Sequence, residues 1–273
     1  MEQMTLSNLC ATDNTVKLGP LTLGAGNFTV IAGPCAIESE ESFNQIALGV
    51  KAAGGAALRG GIFKMRTYAS TFQGLGREAY EIVKHVRKNT GMPVVAEITD
   101  PRQLEEMSDL VDMFQVGTRN MYHYELLKEL GRTKFPVLLK RGLSAYLDEW
   151  LAAADYIIER GNPNVVFCER GIRTFEKATR NTLDLSAVPY LKTRTKLPVL
   201  VDPSHGTGVR ELIPPMCYAA AAAGADGLLV EVHTNPEKAL SDGFQALDLQ
   251  SFNNMMSKLK KILAALDKPL QTK

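Results

Sequence analysis

Short, nearly continuous apolar runs recur along the whole chain, and polar residues cluster just beyond the end of each run. Eight such runs, rich in β-branched residues, predict strands at 29–32, 56–63, 94–98, 113–116, 137–140, 165–168, 199–201 and 227–232. Successive runs begin about 28 residues apart, which is the size of a βαβ repeat. Because the runs do not alternate with polar residues, we expect strands that are covered on both faces.

The segments between these runs carry apolar residues at helical spacing. They predict helices at 41–53, 76–88, 103–109, 122–130, 145–160, 213–223 and 252–266. Such an alternation fits either a closed barrel or an open doubly wound sheet. Eight units of similar length with almost wholly apolar strands favour the α/β architecture of a single (β/α)8 TIM barrel.

The ends of the chain add little to this repeat. Residues 15–28 hold two short alternating stretches around Gly19 and Pro20, which predict a short N-terminal β-hairpin that covers the bottom of the barrel. We therefore expect an N-terminal extension and hairpin at 1–28 and one catalytic barrel domain at 29–266, with no separate regulatory domain. The last few residues are expected to fray.

Composition narrows the possible partners. The 273 residues carry 31 Lys and Arg against 30 Asp and Glu, a net charge of +1, so no overall field attracts nucleic acid or a membrane surface. The first residues lack the basic and apolar segments of a leader, and no apolar run reaches the roughly 20 residues that span a bilayer. These features predict a cytoplasmic protein. The scattered Cys10, Cys35, Cys168 and Cys217 are expected to be thiols or ligands, not disulfides.

The carboxyl ends of the strands are where a (β/α)8 barrel places its chemistry. Four potential metal ligands fall at or just after these ends: Cys35, His205, Glu231 and Asp242. Because closure of the barrel places the eighth strand beside the first and the seventh, the four side chains can converge on one side of the mouth. A thiolate, an imidazole and two carboxylates suit one divalent transition metal per chain, Mn, Fe, Co or Zn. The alternative is that each has an ordinary role as a buried thiol, a helix cap or an ion-pair partner.

Cations form a second group at the same strand ends. The six are Arg59, Lys64, Arg66, Arg119, Lys140 and Arg170. So much positive charge predicts a multiply charged phosphate or carboxylate ligand, which arginine contacts with paired hydrogen bonds and lysine as a point charge. Alternatively, the cations pair with carboxylates at the same strand ends. We expect some of the six cations to pair in this way, but not all of their charge to be neutralised. The carboxylates are Glu38, Glu97, Glu169 and Asp202.

Several long motifs resemble a known family of synthases that condense phosphoenolpyruvate with an aldose phosphate. They are GPC at 33–35 with Glu38, LRGGIFKMRT at 58–67, FQGLG at 72–76, GTRN at 117–120, LLKRG at 138–142, CERGIRTFEKATRNTLDLSAVP at 168–189, VDPSHGTG at 201–208, VEVH at 230–233 and KALSDG at 238–243. Within that family the chain resembles the short, type I-beta 3-deoxy-D-arabino-heptulosonate 7-phosphate (DAHP) synthases. The resemblance spans roughly residues 28–250, and the number and order of the motifs make it specific.

The resemblance implies a metal site and two substrate sites. It assigns the metal to Cys35, His205, Glu231 and Asp242. It assigns phosphoenolpyruvate to Arg59, Lys64, Arg119, Lys140 and Arg170, and the aldose phosphate to Arg66, Thr67, Tyr68 and Asp242. Where the family has KPRTS, this chain has KMRTY at 64–68, so Met65 and Tyr68 replace a proline and a serine. This departure keeps another aldose phosphate, such as arabinose 5-phosphate, as an alternative to erythrose 4-phosphate.

The reaction implied by the resemblance is a metal-dependent, aldol-like condensation. Phosphoenolpyruvate, erythrose 4-phosphate and water give DAHP and phosphate, the first step of the shikimate pathway to the aromatic amino acids. The candidate catalytic residues are Lys64, Cys35, His205 and Glu97. We expect Lys64 to deliver a proton to the new alkoxide and Glu97 or His205 to handle the water.

A binding protein is the alternative to an enzyme for this sequence. A non-catalytic barrel that binds phosphorylated metabolites would be expected to have lost at least one metal-ligating residue or anion-binding cation. The sequence retains all of these residues. Oligomers are common in the family, so a homodimer or homotetramer is expected. Without a regulatory domain, we expect no intrinsic inhibition by aromatic amino acids.

Overall fold

The computed structural model describes residues 15–272. Cys10 and the first half of the expected extension at 1–28 lie outside the described residues. The strands within that range are β1 (Val16–Leu18), β2 (Leu21–Leu23), β3 (Phe28–Gly33), β4 (Ala57–Arg59), β5 (Val94–Ile98), β6 (Met113–Val116), β7 (Val137–Lys140), β8 (Val165–Glu169), β9 (Val199–Val201), β10 (Gly227–Glu231) and β11 (Leu270–Gln271).

The helices alternate with the strands from β3 onward. They are α1 (Glu40–Ala53), α2 (Ala79–Thr90), α3 (Gln103–Met107), α4 (Tyr124–Gly131), α5 (Leu147–Ile158), α6 (Ala187–Arg194), α7 (Pro203–Thr207), α8 (Ile213–Ala222) and α9 (Leu249–Ala265). Short 3-10 turns span Gly76–Glu78, Thr118–Asn120, Arg210–Leu212, Pro236–Lys238 and Gly243–Gln245. None of the helices between residues 15 and 272 combines the length and apolar character needed to cross a membrane.

Strands β3 to β10 form a closed parallel barrel. Each pairs with the next in sequence, and β10 pairs with β3, so that Glu231 lies opposite Gly33. All eight strands are buried along their whole length because helices cover them outside and side chains fill the inside. The prediction of a (β/α)8 barrel is therefore confirmed.

The N-terminal hairpin closes the amino-terminal end of the barrel. Strands β1 and β2 pair antiparallel, and their apolar residues Val16, Leu18, Leu21 and Leu23 are buried. They belong to one apolar cluster with inward-facing residues such as Ile31, Leu138 and Leu229 from the barrel strands. This confirms the predicted hairpin and leaves the opposite, carboxyl end of the barrel open.

Three local features differ from the sequence prediction. The predicted strand at 56–63 shortens to β4, since Gly60 and Gly61 leave only an isolated bridge between Gly61 and Ala36. Helix α6 was not predicted because it is short and contains Pro189. The chain end does not fray as far as Gln271, because β11 pairs with β3 and the Gln271 amide hydrogen-bonds to both backbone groups of Thr22.

Candidate active site at the carboxyl ends of the barrel strands

A cavity of about 290 Å³ opens at the carboxyl ends of the barrel strands. Its cationic lining residues are Lys64, Arg66, Arg119, Lys140, Arg170, Arg173 and Arg180. The carboxylates among the lining residues are only Glu97 and Asp242. The excess of positive charge is suited to a multiply charged anion.

Three of the four candidate metal ligands form a compact cluster at one edge of this cavity. Ligand atoms of Cys35, Glu231 and Asp242 all lie within 4.8 Å of one another. Cys35 follows β3 and Glu231 ends β10, so the pairing of these two strands brings them together. The fourth candidate, His205, has Nε2 at 3.4 Å from Glu231 Oε1. Soft sulfur, imidazole nitrogen and carboxylate oxygens therefore meet at one point, a donor set that fits a divalent transition metal.

The protonation of Cys35 depends on its burial. Burial raises the pKa of this thiol to about 12, although nearby Lys64 opposes the shift. Its Sγ lies 3.0 Å from Ser241 Oγ and 3.5 Å from Asp242 Oδ2. A metal at this cluster would therefore have to displace the thiol proton.

Glu231 is fully buried and receives a hydrogen bond on each carboxylate oxygen. Arg59 Nη1 donates to Oε1 at 2.7 Å, and Gln245 Nε2 donates to Oε2 at 2.5 Å. Burial alone would raise the pKa of Glu231, but the positive charges of His205 and Arg59 lower it below its usual value. Arg59, which the resemblance assigns to phosphoenolpyruvate, thus lies behind the cavity wall as the partner of Glu231.

Asp202 organises the residues around His205. Its Oδ2 accepts a hydrogen bond from Lys140 Nζ and lies 2.7 Å from His205 Nδ1. Its Oδ1 accepts from the backbone amide of His205 at 3.0 Å, which caps the start of α7. Although burial opposes ionisation, the charges of His205 and Lys140 hold the pKa of Asp202 well below its usual range. Lys140 and His205 are consequently fixed side by side in the cavity wall.

Lys64 and Glu97 form a second buried ion pair, with Nζ 2.7 Å from Oε2. Burial alone would lower the pKa of Lys64, but its interactions with Cys35 and with the carboxylate of Glu97 raise it above its ordinary value. Gly117 makes room for this pair, because a Cβ there would lie 2.0 Å from Glu97 Oε1. The glycine that opens the GTRN motif thus has a steric reason.

Arg170 differs from its neighbour Arg141 in lacking a carboxylate partner. Arg141 is paired with Glu169 and Asp184 at 2.9 and 2.8 Å. Arg170 is 3% exposed, donates only to the Gly171 carbonyl at 3.3 Å, and leaves Nε without a partner among residues 15–272. Burial lowers the pKa of Arg170. A buried guanidinium of this kind is stabilised when an anion occupies the cavity.

The predicted aldose phosphate loop lines the same cavity as Arg170. Arg66 Nη1 donates to Ser241 Oγ at 2.6 Å and lies 3.5 Å from Asp242 Oδ1. Arg119 Nη2 donates to Thr67 Oγ1 at 3.1 Å. Tyr68 lines the same cavity and is 71% exposed. The structure therefore brings the predicted residues of both substrate sites to one cavity, except for Arg59.

Four residues of this site were not singled out from the sequence: Arg173, Arg180, Ser241 and Gln245. The two arginines lie in the long segment between β8 and α6, and both line the cavity. The length and basic character of that segment were an available signal. Ser241 and Gln245 flank Asp242, but a serine and a glutamine have no distinctive pattern in a sequence.

Comparisons with known proteins agree with this geometry. Residues 11–267 match the DAHP synthetase I family. The chain is 46% identical over 254 residues to a phospho-2-dehydro-3-deoxyheptonate aldolase of Thermotoga maritima, covering 93% of this chain and 75% of the relative. It is 30% identical over 274 residues to a 2-dehydro-3-deoxyphosphooctonate aldolase of Koribacter versatilis, covering 93% of this chain and 97% of the relative.

Two solved structures resemble the whole fold. The crystal structure of the Thermotoga maritima phospho-2-dehydro-3-deoxyheptonate aldolase (DAHP synthase) superposes with a TM-score of 0.94 at 43% identity, covering 99% of this chain and 80% of that one. A truncated form of 3-deoxy-D-arabino-heptulosonate 7-phosphate synthase from the same organism gives 0.89 at 42% identity, covering 96% of each chain.

Proposed function

The chain belongs to the DAHP synthetase I family and is an enzyme of that family, and we propose that it condenses phosphoenolpyruvate with erythrose 4-phosphate and water. The products would be DAHP and inorganic phosphate, at the entry to aromatic amino acid biosynthesis by the shikimate pathway. The observation that carries this proposal is the buried guanidinium of Arg170, which has no carboxylate partner among residues 15–272 and lines a cavity with the cluster of Cys35, Glu231 and Asp242 at its edge.

Phosphoenolpyruvate would bind among Lys64, Arg119, Lys140 and Arg170. Its phosphate and carboxylate together carry about three negative charges at neutral pH, which the four cations can match with charge-assisted hydrogen bonds. Arg170 would gain the anionic partner that it lacks among the described residues. Arg59 would contribute at a distance, by fixing Glu231.

The metal would be held by Cys35, His205, Glu231 and Asp242, and Mn, Fe, Co and Zn are all compatible with this donor set. When bound, it would supply Lewis acidity for the aldehyde oxygen of the second substrate. The protein residues around it have two further tasks. They orient C3 of phosphoenolpyruvate toward the aldehyde carbon, and they move protons.

Lys64 is placed to deliver the first proton. C3 of phosphoenolpyruvate forms the new bond to the aldehyde carbon, whose oxygen becomes an alkoxide and takes a proton from the Lys64 ammonium. Water then adds at C2 and gives its proton to Glu97, since His205 would hold the metal and its Nδ1 faces Asp202. In the resulting hemiketal phosphate the bond from C2 to the phosphate oxygen breaks, the C2 hydroxyl passes its proton to the departing phosphate, and the ketone of DAHP and inorganic phosphate are formed. Because Lys64 and Glu97 are 2.7 Å apart, the proton can return to Lys64.

The aldose phosphate would bind on the side of Arg66, Thr67, Tyr68 and Asp242. The guanidinium of Arg66 and the hydroxyl of Thr67 suit a phosphate group.

The proposed catalytic unit is the barrel at 29–266, preceded by the extension at 1–28. We further propose that the protein is cytoplasmic, since both substrates are charged metabolites that do not cross a bilayer unaided. As the family resemblance implies, we also propose that it forms a homodimer or homotetramer.

Phosphate release is the direct test. Metal-reconstituted protein is mixed with phosphoenolpyruvate and erythrose 4-phosphate, arabinose 5-phosphate or ribose 5-phosphate, with an EDTA-treated control. We expect metal-dependent release with erythrose 4-phosphate. Lys64→Ala should lower turnover by about 100-fold or more with its metal content unchanged, whereas the exposed Lys88→Ala should behave as the parent.

Arabinose 5-phosphate is the second candidate substrate. Met65 and Tyr68 depart from the usual motif, and 2-dehydro-3-deoxyphosphooctonate aldolases are about 30% identical to this chain. Release only with arabinose 5-phosphate would keep the chemistry and change the product. No release with any aldose phosphate would contradict the proposed function and favour a binding protein.

A further inference from the structure

Gln245 is a fully buried amide with two charged partners of opposite sign. Its Nε2 donates to Glu231 Oε2 at 2.5 Å, and its Oε1 accepts from Arg180 Nη1 at 2.6 Å. A carboxylate can only accept and a guanidinium can only donate. The amide orientation is therefore determined by its two partners.

A neutral side chain is required at this position. A glutamate in place of Gln245 would put two carboxylates in contact in a buried site, and a lysine would face the guanidinium of Arg180. Glutamine satisfies both neighbours without adding a charge. The amide thus joins a candidate metal ligand to a cation of the cavity wall.

Arg180 is held in place from several directions. Its backbone amide donates to the Thr207 carbonyl at 2.8 Å. Gly208 leaves room for its stem, because a Cβ at that residue would lie 2.4 Å from Arg180 Cβ. Its guanidinium lies over the ring of Phe244 at 5.8 Å. The side chain is one-third exposed and lines the cavity, so its head group is accessible to a ligand.

The position of Arg180 associates it with the second substrate. Arg180 lies 3.6 Å from Asp242 Oδ2, and Arg66 lies 3.5 Å from Asp242 Oδ1. The two arginines therefore flank the same carboxylate, on the side of the cavity where the aldose phosphate loop lies. Lys140, in contrast, is paired with Asp202.

We propose that Gln245 is a positioning residue that holds Glu231 toward the metal and Arg180 toward the anionic group of the aldose phosphate, so that Arg180 is a further substrate-binding cation. This inference rests on the proposed function for the identity of the second substrate. It predicts that one buried amide affects two measurable quantities, the metal affinity and the affinity for the aldose phosphate.

Two variants separate these effects. Gln245→Met keeps the volume and removes both hydrogen bonds of the amide, whereas Arg180→Met removes the cation with its contacts to Gln245 and Asp242 and leaves the hydrogen bond from Gln245 to Glu231. The exposed Gln250→Met, on α9, is the matched control. The dissociation constant for Co²⁺ is measured by competition with a chelator, the KM values for both substrates by phosphate release, and folding by thermal unfolding.

Gln245→Met should raise the dissociation constant for Co²⁺ by about 10-fold to 100-fold, and the KM for erythrose 4-phosphate by about fivefold or more. Arg180→Met should raise that KM by about tenfold or more, as for loss of a charge-assisted hydrogen bond. It should not raise the dissociation constant for Co²⁺, because removing a positive charge 3.6 Å from Asp242 does not oppose a cation there. Neither variant should change the KM for phosphoenolpyruvate. The double variant should have the same aldose KM as Arg180→Met alone, since Gln245 acts on the aldose through Arg180.

Gln245→Met with parental Co²⁺ affinity, or Arg180→Met with a parental aldose KM, would overturn the inference. If Gln245→Met does not fold, the KM measured with Arg180→Met decides, because that side chain is partly exposed. The chelator measurement needs no turnover. A parent that binds Co²⁺ but releases no phosphate with any aldose phosphate therefore refutes the proposed function, while the Co²⁺ constant of Gln245→Met still decides whether Gln245 positions Glu231.

Discussion

Asp202 contacts His205 through both carboxylate oxygens: Oδ1 accepts from the His205 backbone amide at 3.0 Å, and Oδ2 lies 2.7 Å from Nδ1 of the ring. The same carboxylate is the partner of buried Lys140. One buried negative charge thus orients a candidate metal ligand, neutralises a candidate substrate-binding cation and caps a helix.

Asp202→Asn should therefore damage both activity and stability. Removing the charge leaves Lys140 buried without a counter-ion, which costs about 3–5 kcal/mol of unfolding free energy. Turnover should fall by about 100-fold or more because His205 and Lys140 lose their orientation. Urea unfolding and phosphate release measure the two effects. Asp148→Asn, at a side chain 78% exposed, is the control, and equal behaviour of the two variants would contradict the role of Asp202.

Arg170→Met should separate stability from binding. Because the buried guanidinium has no carboxylate partner within residues 15–272, replacing it by an apolar side chain should raise the unfolding free energy by about 1–4 kcal/mol. The KM for phosphoenolpyruvate should rise by about 10-fold to 100-fold. Thermal unfolding with and without phosphoenolpyruvate checks both, since a concentration that saturates the parent should stabilise the variant less. A variant that phosphoenolpyruvate stabilises as much as the parent would show that Arg170 does not contact the ligand; the exposed Arg160→Met is the control.

The ionisation of Glu97 should make the free energy of unfolding depend on pH below the pKa that Glu97 has in the unfolded chain. Burial alone would raise the pKa of Glu97, but the ammonium of Lys64 lowers it below the usual value. The stabilisation is therefore fully present above about pH 4.3 and is lost as the pH falls through the folded-state pKa.

The difference in unfolding free energy between the parent and Glu97→Gln should thus be constant from pH 7 to about pH 5 and should shrink below about pH 4.3. Urea unfolding of the metal-free protein at each pH measures it. The exposed Glu105→Gln should match the parent throughout. A difference that grows on acidification would have the opposite sign from this ion pair.

Metal binding should release the thiol proton of Cys35. Since burial raises the pKa of Cys35 to about 12, the metal must compete with a proton, and the affinity should increase about tenfold per pH unit between pH 6 and 8. Calorimetry in buffers of different ionisation enthalpy counts the protons. Cys35→Ser should abolish most of this release, and Cys217→Ala, in α8, should keep it. A pH-independent affinity would exclude Cys35 as a ligand.

Leu23→Ala should destabilise the fold without affecting the chemistry. Leu23 is fully buried in the hairpin that closes the amino-terminal end of the barrel, opposite the cavity. Loss of its contacts should cost about 2–5 kcal/mol of unfolding free energy with unchanged KM values. Urea unfolding and phosphate release measure these, and Leu48→Ala, at a side chain about half exposed, should have little effect. An altered KM would indicate that the hairpin and the cavity are coupled.

The order of strands and helices could be predicted because each element has a local pattern in the sequence. Apolar runs such as Val94–Ile98 and Val137–Lys140 agree with the observed strands, and the alternating pattern around Gly19 and Pro20 identified the hairpin. Local signals failed where the context overrides them. Two glycines end β4 early, and α6 forms although it is short and contains Pro189.

The sequence by itself determined the barrel, the family resemblance and the residue types at the mouth, because hydrophobic periodicity and motif order are properties of the chain. Only the tertiary structure decided which charges neutralise one another. It paired Arg59 with Glu231 and left Arg170 without a carboxylate partner in the part of the chain that the structure describes. It also brought Gln245 between Glu231 and Arg180. Such pairings depend on distances of a few ångströms between residues far apart in the chain, and a linear pattern contains no information about those distances.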